Sequence, residues 1–468
     1  MIIERLILEE VGCFDLLDIH FQPGRNPKKA DIHLLVGTNG SGKTTILTAM
    51  AQVFSSASTG VEKRFRSSNA YALIAFSGGQ VAAVSLSGRD SAPPTISESG
   101  QVLDPAPPWI PDSDSALKSG VSSPLRFYEH WTPDGPWSFF SKRRLAHDFR
   151  PLAPEHRDTR FSHLAFAYGG QRSVESFHLE GIMEQNQAPL ASACVTPKPL
   201  GDEPVAPLIQ WIANTFAKAA FARDRNDQSG HLRYRDAVGR IEAIISRIAS
   251  RSFAFVLSYE PINVSASLDG EELPIDVLPD GLKSLISWIG DLLMRMDRVP
   301  WIDDTPLLDR QITLFLDEIE VHLHPAWQRK VLPVIQDLLP NAQVFVSTHS
   351  PFIIASADDA WIYPLYLDEK GRGHVGETLP SMLGNSYATV LRDVLGIEAE
   401  FAPQVDEQLK VFYDLRDRAL RREPGALEKL QAKGRELGAF GEEVLAIVHP
   451  ELRQVERRLA EQVMETSA

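Results

Sequence analysis

The sequence predicts an α/β protein built around a phosphate-binding loop, and three short strings carry that prediction. They are GTNGSGKTT at residues 37–45, ITLFLDE at residues 312–318 and QVFVSTHS at residues 343–350. At each, an apolar run of strand length delivers polar side chains able to meet a phosphate, a metal ion or a water.

The first string fits the spacing glycine, four residues, glycine, lysine, then serine or threonine. Gly37, Gly40 and Gly42 let the backbone turn tightly and aim its N–H groups at phosphate oxygens, with Thr38, Asn39 and Ser41 between them. Lys43 supplies a point charge for the outer phosphates, and the Thr44 hydroxyl can ligate Mg²⁺. Residues 33–36 are an apolar run suited to a buried strand. From Thr45 onward, residues 45–54 have helical spacing, with Ile46, Leu47, Met50 and Val53 on one face. The N-terminus of that helix would point at the phosphates. Alone, the string could also be a chance glycine-rich turn.

The second string ends in Asp317-Glu318. A buried strand that delivers carboxylates to its C-terminal edge suits a nucleotide site. One carboxylate, Asp317, holds the metal, and the other, Glu318, polarises a water for attack. A strand ending in a solvated acidic turn is the alternative. The third string ends in His349, which can hydrogen-bond a γ-phosphate or the attacking water. A lone histidine there could equally be an ordinary surface residue.

Taken together, FLDEIEVHLHPAWQ followed by VFVSTHSPF resembles the ABC-type ATPase head of the bacterial SMC/RecF/OLD-like group. The resemblance covers roughly residues 1–55 and 255–365. It implies ATP and Mg²⁺ as ligands, a fold with a mixed central sheet and an antiparallel β lobe, and a head-to-head dimer. It also implies a signature loop that reaches the partner's γ-phosphate. LPDGLK at residues 278–283 is the best match, with Asp280, Gly281 and Lys283 as its contacts in trans and a helix expected over residues 284–294. Pro279 stands where the group often has a serine. An ordinary helix N-terminus capped by Asp280 is the other reading. A glutamine that helps hold the metal is also implied, and Gln171 in FAYGGQRS is the match. The group's Asn-x-Arg in the first hairpin is missing from Glu10-Val11-Gly12-Cys13-Phe14, so base contacts do not carry over.

Composition bounds the rest. Apolar content of 43% and charged content of 23% predict a packed soluble core, and 468 residues predict two to three domains or one with insertions. A net charge of −15 argues against a strongly basic nucleic-acid clamp. The densest basic stretch, Lys142, Arg143, Arg144, Arg150, Arg157 and Arg160, is interleaved with acids and reads as a solvated face. Two cysteines, Cys13 and Cys194, imply neither a disulfide framework nor a zinc site, and fit a reducing cytoplasm. The start, MIIERLILEE, reads as an edge strand rather than a signal peptide, and no apolar run is long enough to span a bilayer.

Four segments follow. Residues 1–130 are the N-terminal half of the head. Residues 131–250 are an insertion with a short helical hairpin, from helices at 208–220 and 235–250 joined by the polar stretch 223–230. Residues 251–365 are the C-terminal half, and residues 366–468 a helical domain without strands. Sustained heptads are absent, so the long coiled-coil arm of the SMC class is not expected. The tail lacks the DxD of a TOPRIM nuclease. It resembles the C-terminal region of PtuA-like Septu ATPases through Ser386, Leu391, Leu395 and Gly396. The functions implied are an ATPase that gates a separate nuclease, such as an HNH protein, in an anti-phage system, with DNA contacted indirectly. A RecF-like repair ATPase binding DNA directly and a slow or non-hydrolysing scaffold locked by nucleotide stand beside it.

Overall fold

The computed structural model describes residues 1–54, 60–77, 80–86, 95–96, 102–103, 125–130, 160–170, 179, 181–183, 185, 190, 193–194, 205–397 and 401–466. From the N-terminus, β1 (Ile3–Val11) and β2 (Phe14–His20) precede β3 (Asp31–Gly37) and helix α1 (Lys43–Val53). Strands β4 (Tyr71–Phe76), β5 (Gln80–Leu86), β6 (Thr95–Ile96), β7 (Val102–Leu103), β8 (Leu125–His130) and β9 (His163–Tyr168) follow. Helices α2 (Val205–Asp224) and α3 (Gln228–Ala249) lead to β10 (Phe253–Tyr259), β11 (Ile262–Leu268) and β12 (Glu271–Pro274). Helix α4 (Asp280–Leu285) runs through a π-helical turn, Ile286–Gly290, into α5 (Asp291–Arg298). Strand β13 (Gln311–Leu316), helix α6 (Pro325–Leu338), strand β14 (Ala342–Thr348), helix α7 (Pro351–Ile354) and strands β15 (Ala360–Leu367), β16 (Gly373–Val375) and β17 (Leu379–Pro380) come next. Helices α8 (Tyr387–Asp393), α9 (Pro403–Leu420), α10 (Ala426–Gly438) and α11 (Glu442–Thr466) close the chain.

Two sheets frame the site. Strands β15, β3, β14, β13 and β9 lie side by side in that order, all parallel, with β16 and β17 antiparallel to β15. The second sheet is antiparallel, in the order β2-β1-β4-β5-β8. Helix α1 packs against strands of both. That explains its burial: Thr45, Ile46, Leu47, Ala49, Met50 and Val53 are all inside. The single apolar face expected from sequence is therefore a helix buried on every side, as an apolar helix between two layers must be. Phe14, Phe54, Phe76, Phe315, Phe345 and Tyr363 fill the same core.

The expectation that residues 1–10 form an edge strand is corrected. Strand β1 lies between β2 and β4. Its charges do not need an open edge, because Arg5 reaches across to Asp18 at 2.6–2.7 Å and Glu10 accepts from the Ser67 hydroxyl. Its outer face adds a small apolar cluster of Ile7, Tyr71, Leu73 and Ala83.

Helices α2 and α3 pack together as a hairpin. The polar stretch 223–230 is mostly helical, because Asp227 caps α3 by accepting the Gly230 N–H at 2.9 Å. Strands β11 and β12 turn at Asp269 and Gly270, both with positive φ.

The chain divides into two compact units, residues 1–390 and 391–468. The boundary expected at residue 365/366 therefore falls later, and the tail is not free of strands. The reason is register: β16 and β17 pair with β15 and extend the first unit's parallel sheet. The second unit is a helical cluster around Leu409, Phe412, Leu430, Leu437, Val444 and Val448. Pro450 lies inside α11.

Candidate functional site

The site starts where β3 ends. A Cβ on Gly37 would sit 2.2 Å from the Leu365 carbonyl oxygen, so only glycine lets β3 and β15 run this close into the loop. Gly40 and Gly42 have φ of 84° and 95°, in the left-handed region. Gly42 has a second constraint, since a Cβ there would meet the Phe14 ring at 2.3 Å. The loop so formed feeds α1, whose first residue is Lys43. The Lys43 ammonium donates to the carbonyls of Gly37 at 2.7 Å and Thr38 at 3.0 Å. Burial pushes its pKa down, against the opposing fields of Glu318, Asp317 and Glu320. Ser41 is buried, and among the described residues its Oγ has no hydrogen-bond partner.

Strand β13 brings the carboxylates. The Thr44 hydroxyl donates to Asp317 at 2.9 Å to Oδ2 and 3.1 Å to Oδ1. A hydroxyl and a buried carboxylate held together are the all-oxygen donor pair that Mg²⁺ takes beside phosphates, so these residues fit that ion. Asp317 also accepts from the Ser347 hydroxyl on β14, and Ser347 Oγ accepts the Glu318 N–H at 2.8 Å. One serine thus ties both acidic residues to the neighbouring strand. Glu318 has φ 46°. A non-glycine residue in that region is strained by about 1–3 kcal/mol, and the Ser347 bond helps hold it there.

The Glu318 side chain lies against Gly170, where an added Cβ would be 3.0 Å from Oε2 and 3.1 Å from Cβ of Glu318. Gly170 follows β9, whose last residue, Tyr168, pairs with Leu316 and accepts the Asp317 N–H at 2.9 Å. Gln171, the next residue on that segment, lies outside the described residues. So does most of the basic stretch 142–160.

His349 follows β14 and is half-exposed. Its backbone N–H donates to Glu320 Oε1 at 2.8 Å, and its Nδ1 is 3.4 Å from the same oxygen. Arg64 donates to the Thr45 hydroxyl at 2.6 Å, next to the loop.

The segment 278–283 is built differently. Its helix starts at Asp280, not at Ser284 as expected, and Pro279 rather than Asp280 occupies the N-cap. Lys283 pairs with Asp280 at 2.8 Å, and that bond holds the Asp280 carboxyl below its usual range. Gly281 is buried, with its would-be Cβ 2.8 Å from the His322 carbonyl oxygen and from the Trp327 ring. Packing on the turn after β13 is thus sufficient reason for a glycine here. Among the described residues no hydrogen bond or ion pair joins Asp280, Gly281 or Lys283 to the phosphate loop.

Further along, Asp291 on α5 is bound by Arg295 at 2.6 Å and by the Tyr168 hydroxyl at 2.9 Å, all buried or nearly so. Burial pushes the Tyr168 phenol well up, and the Asp291 charge adds to that.

The structure therefore gathers Lys43, Thr44, Asp317, Glu318 and Ser347 at the C-terminal ends of neighbouring parallel strands, with His349 beside them on Glu320. Sequence reasoning missed Ser347, Glu320, Gly170 and Tyr168. Ser347 and Glu320 lie within the quoted strings. Nothing in their spacing distinguishes them, because their roles come from contacts between strands.

Two family models match the chain: "AAA domain" over residues 5–103 and "AAA domain, putative AbiEii toxin, Type IV TA system" over residues 214–355. "Septu protein PtuA" of Bacillus thuringiensis is 28% identical over 158 residues, 33% of this chain and 40% of that protein. "Retron Vc95 probable ATPase" of Vibrio cholerae serotype O1 biovar El Tor is 33% identical over 95 residues, 20% of this chain and 18% of that protein. "Retron Ec83 probable ATPase" of Escherichia coli is 29% identical over 120 residues, 26% of this chain and 22% of that protein. The chain thus spans well under two thirds of each of these relatives. Among the described residues, no helix is long and apolar enough to cross a membrane. A phosphate loop on a parallel sheet, AAA family models over residues 5–103 and 214–355, and similarity to Septu and retron proteins over part of their length support a relation to ABC-type AAA ATPases close to Septu PtuA.

Proposed function

We propose that this chain binds ATP with Mg²⁺ and hydrolyses it between two head domains, and that the resulting opening and closing switches a complex. The Thr44–Asp317 contact at 2.9 Å carries this reading, because it joins the loop hydroxyl to the strand carboxylate across 273 positions of sequence. When bound, the metal ion would neutralise phosphate charge. Thr44 and Asp317 would hold it, and Gln171 would be a further ligand. Residues 37–45 supply backbone N–H groups and Lys43 to the phosphates. Glu318, braced on Ser347 and Gly170, takes a proton from the attacking water, and His349 meets the γ-phosphate oxygens. Asp280, Gly281 and Lys283 serve the partner's nucleotide. The head in this reading comprises residues 1–130 and 251–365 extended by β16 and β17, with residues 131–250 as insertion.

The Septu and retron relatives support a place in anti-phage defence, as the ATPase subunit that gates a separate nuclease such as an HNH protein in the cytoplasm. Purified protein is the test of gating. DNA degradation by the chain alone that survives Glu318→Gln would contradict it. No degradation alone, with ATP-dependent degradation on adding the neighbouring gene's product, is the expected result.

A second reading, direct contact with nucleic acid, is favoured by one observation. Around the tip of the α2–α3 hairpin, Lys218, Arg223, Arg225, Arg233 and Arg235 are exposed, and none makes an ion pair among the described residues. Lys218 and Arg233 lie 5.9 and 4.8 Å from the Tyr234 ring, and Arg235 lies 4.8 Å from Phe216. Unpaired cations beside aromatic rings suit a phosphate backbone with unstacked bases. Affinity for single-stranded DNA that falls with salt and is lost in Arg223→Glu/Arg233→Glu would support it. Affinity unchanged by that pair would remove it.

A further inference from the structure

Glu320 is a buried carboxylate that the hydrolytic reading leaves without a task. It is 7% exposed and lies on the turn after β13, two residues beyond Glu318. Among the described residues, His349 is the only basic side chain within ion-pair distance of it. Oε1 faces that histidine twice, through the backbone N–H at 2.8 Å and the ring Nδ1 at 3.4 Å. Oε2 is also buried and has no hydrogen-bond partner among the described residues. Burying a carboxylate with so few donors is costly. A cost of that kind, placed beside the site rather than in the core, asks for a functional reason.

We infer that Glu320 is a positioning residue for His349, fixing both where the ring sits and which nitrogen carries its hydrogen. This rests on the reading of His349 as the residue that meets the γ-phosphate. The backbone bond sets the point at which the chain leaves β14. The carboxylate beside Nδ1 favours the tautomer with hydrogen on that nitrogen. Nε2 is then the nitrogen left for the substrate. Buried carboxylates orient histidines in this way at metal and nucleophile sites, and losing one typically costs 10–100-fold in activity.

A purely structural role makes a different prediction. Glutamine keeps the volume of Glu320 and can still accept the His349 backbone N–H, so Glu320→Gln would be silent if anchoring the strand end were its whole purpose. The inference predicts that full-length Glu320→Gln binds a non-hydrolysable ATP analogue within about twofold of wild type, yet turns over ATP roughly 10–100-fold more slowly. The loss should vanish in a His349→Ala background, because a residue acting through His349 has nothing left to act on. Unchanged turnover in Glu320→Gln, or a loss that adds in full to that of His349→Ala, overturns the inference.

A second readout keeps the two levels apart. The ring ¹⁵N shifts of His349 report its tautomer without any turnover. Wild type should show hydrogen on Nδ1, and Glu320→Gln should show a shifted mixture. Identical shifts in the two proteins overturn the inference. If wild type hydrolyses no ATP at all, the hydrolytic reading fails, and the ring shifts still decide whether Glu320 orients the histidine.

Discussion

The phosphate-loop half of the site and the Gly281 half are both glycine-led turns feeding helices, yet their polar groups are arranged in opposite ways. In the first, motif residues far apart in sequence face each other: Thr44 on Asp317, and Ser347 bridging Asp317 and Glu318. In the second, the flanking charges satisfy each other, Lys283 on Asp280, and the glycine is held by close packing on His322 and Trp327. The first half is assembled within one chain. In the second, the motif residues have no bonded partner in the phosphate loop among the described residues.

Four substitutions test that contrast. The largest effect is expected in the first half. Lys43→Ala should weaken ATP binding at least about 100-fold, since the cation over the outer phosphates has no substitute, while leaving the melting temperature nearly unchanged. Its lowered pKa means that charged Lys43 costs the fold something near neutral pH, a cost that fades as pH rises through the folded value. Binding titration with thermal melts checks both.

Next is the buried Asp291–Arg295 pair on α5, which the Tyr168 hydroxyl also bonds. Asp291→Ala leaves Arg295 buried without its carboxylate and should cost about 3–5 kcal/mol in denaturant melts. Gly281→Ala should cost about 1–3 kcal/mol, because the methyl group meets backbone and a tryptophan ring. If Gly281 served packing alone, activity would follow folded fraction. If it also serves the partner's nucleotide, turnover should fall well beyond the loss of folded protein. Tyr168→Phe is the mildest, at about 1 kcal/mol, since Asp291 keeps Arg295.

A smaller pH effect should be confined to the surface. Hydrogen bonding by Arg66 holds Asp15 below its unfolded value, and Lys283 does the same for Asp280. For a carboxylate depressed in the folded state, the added stability is present above the unfolded pKa near 4 and lost as pH falls through the lower folded value. Melts from pH 6 to pH 2 should show this, and Asp280→Asn should flatten part of it.

Much of the first half was legible because its signals are local. The loop glycines, the strand before them, the helix after them and the Asp317-Glu318 strand end are each written in a few consecutive residues. What could not be read depends on pairing. Nothing in MIIERLILEE says that β1 lies between two strands, since Arg5 finds its partner in Asp18 across a hairpin. Nothing after residue 365 announces that β16 and β17 continue the sheet. Gly170 reads as one of two loop glycines until β9 is placed beside β13, which sets it against Glu318. Glu320 reads as one more acid until β14 ends on it. The start of α4 at Asp280 carries no cap signal in the sequence, because the N-cap residue, Pro279, has no side-chain acceptor.

In the proposed function, Glu318 drives ATP hydrolysis in a site completed by a second head. The direct test is to measure ATP turnover for wild type and Glu318→Gln, with the mass of each in solution with and without ATP. The account predicts turnover in wild type only, and an ATP-stabilised dimer or larger assembly in Glu318→Gln. ATP binding without turnover in either protein, and no change in mass, would contradict it and favour a nucleotide-locked scaffold.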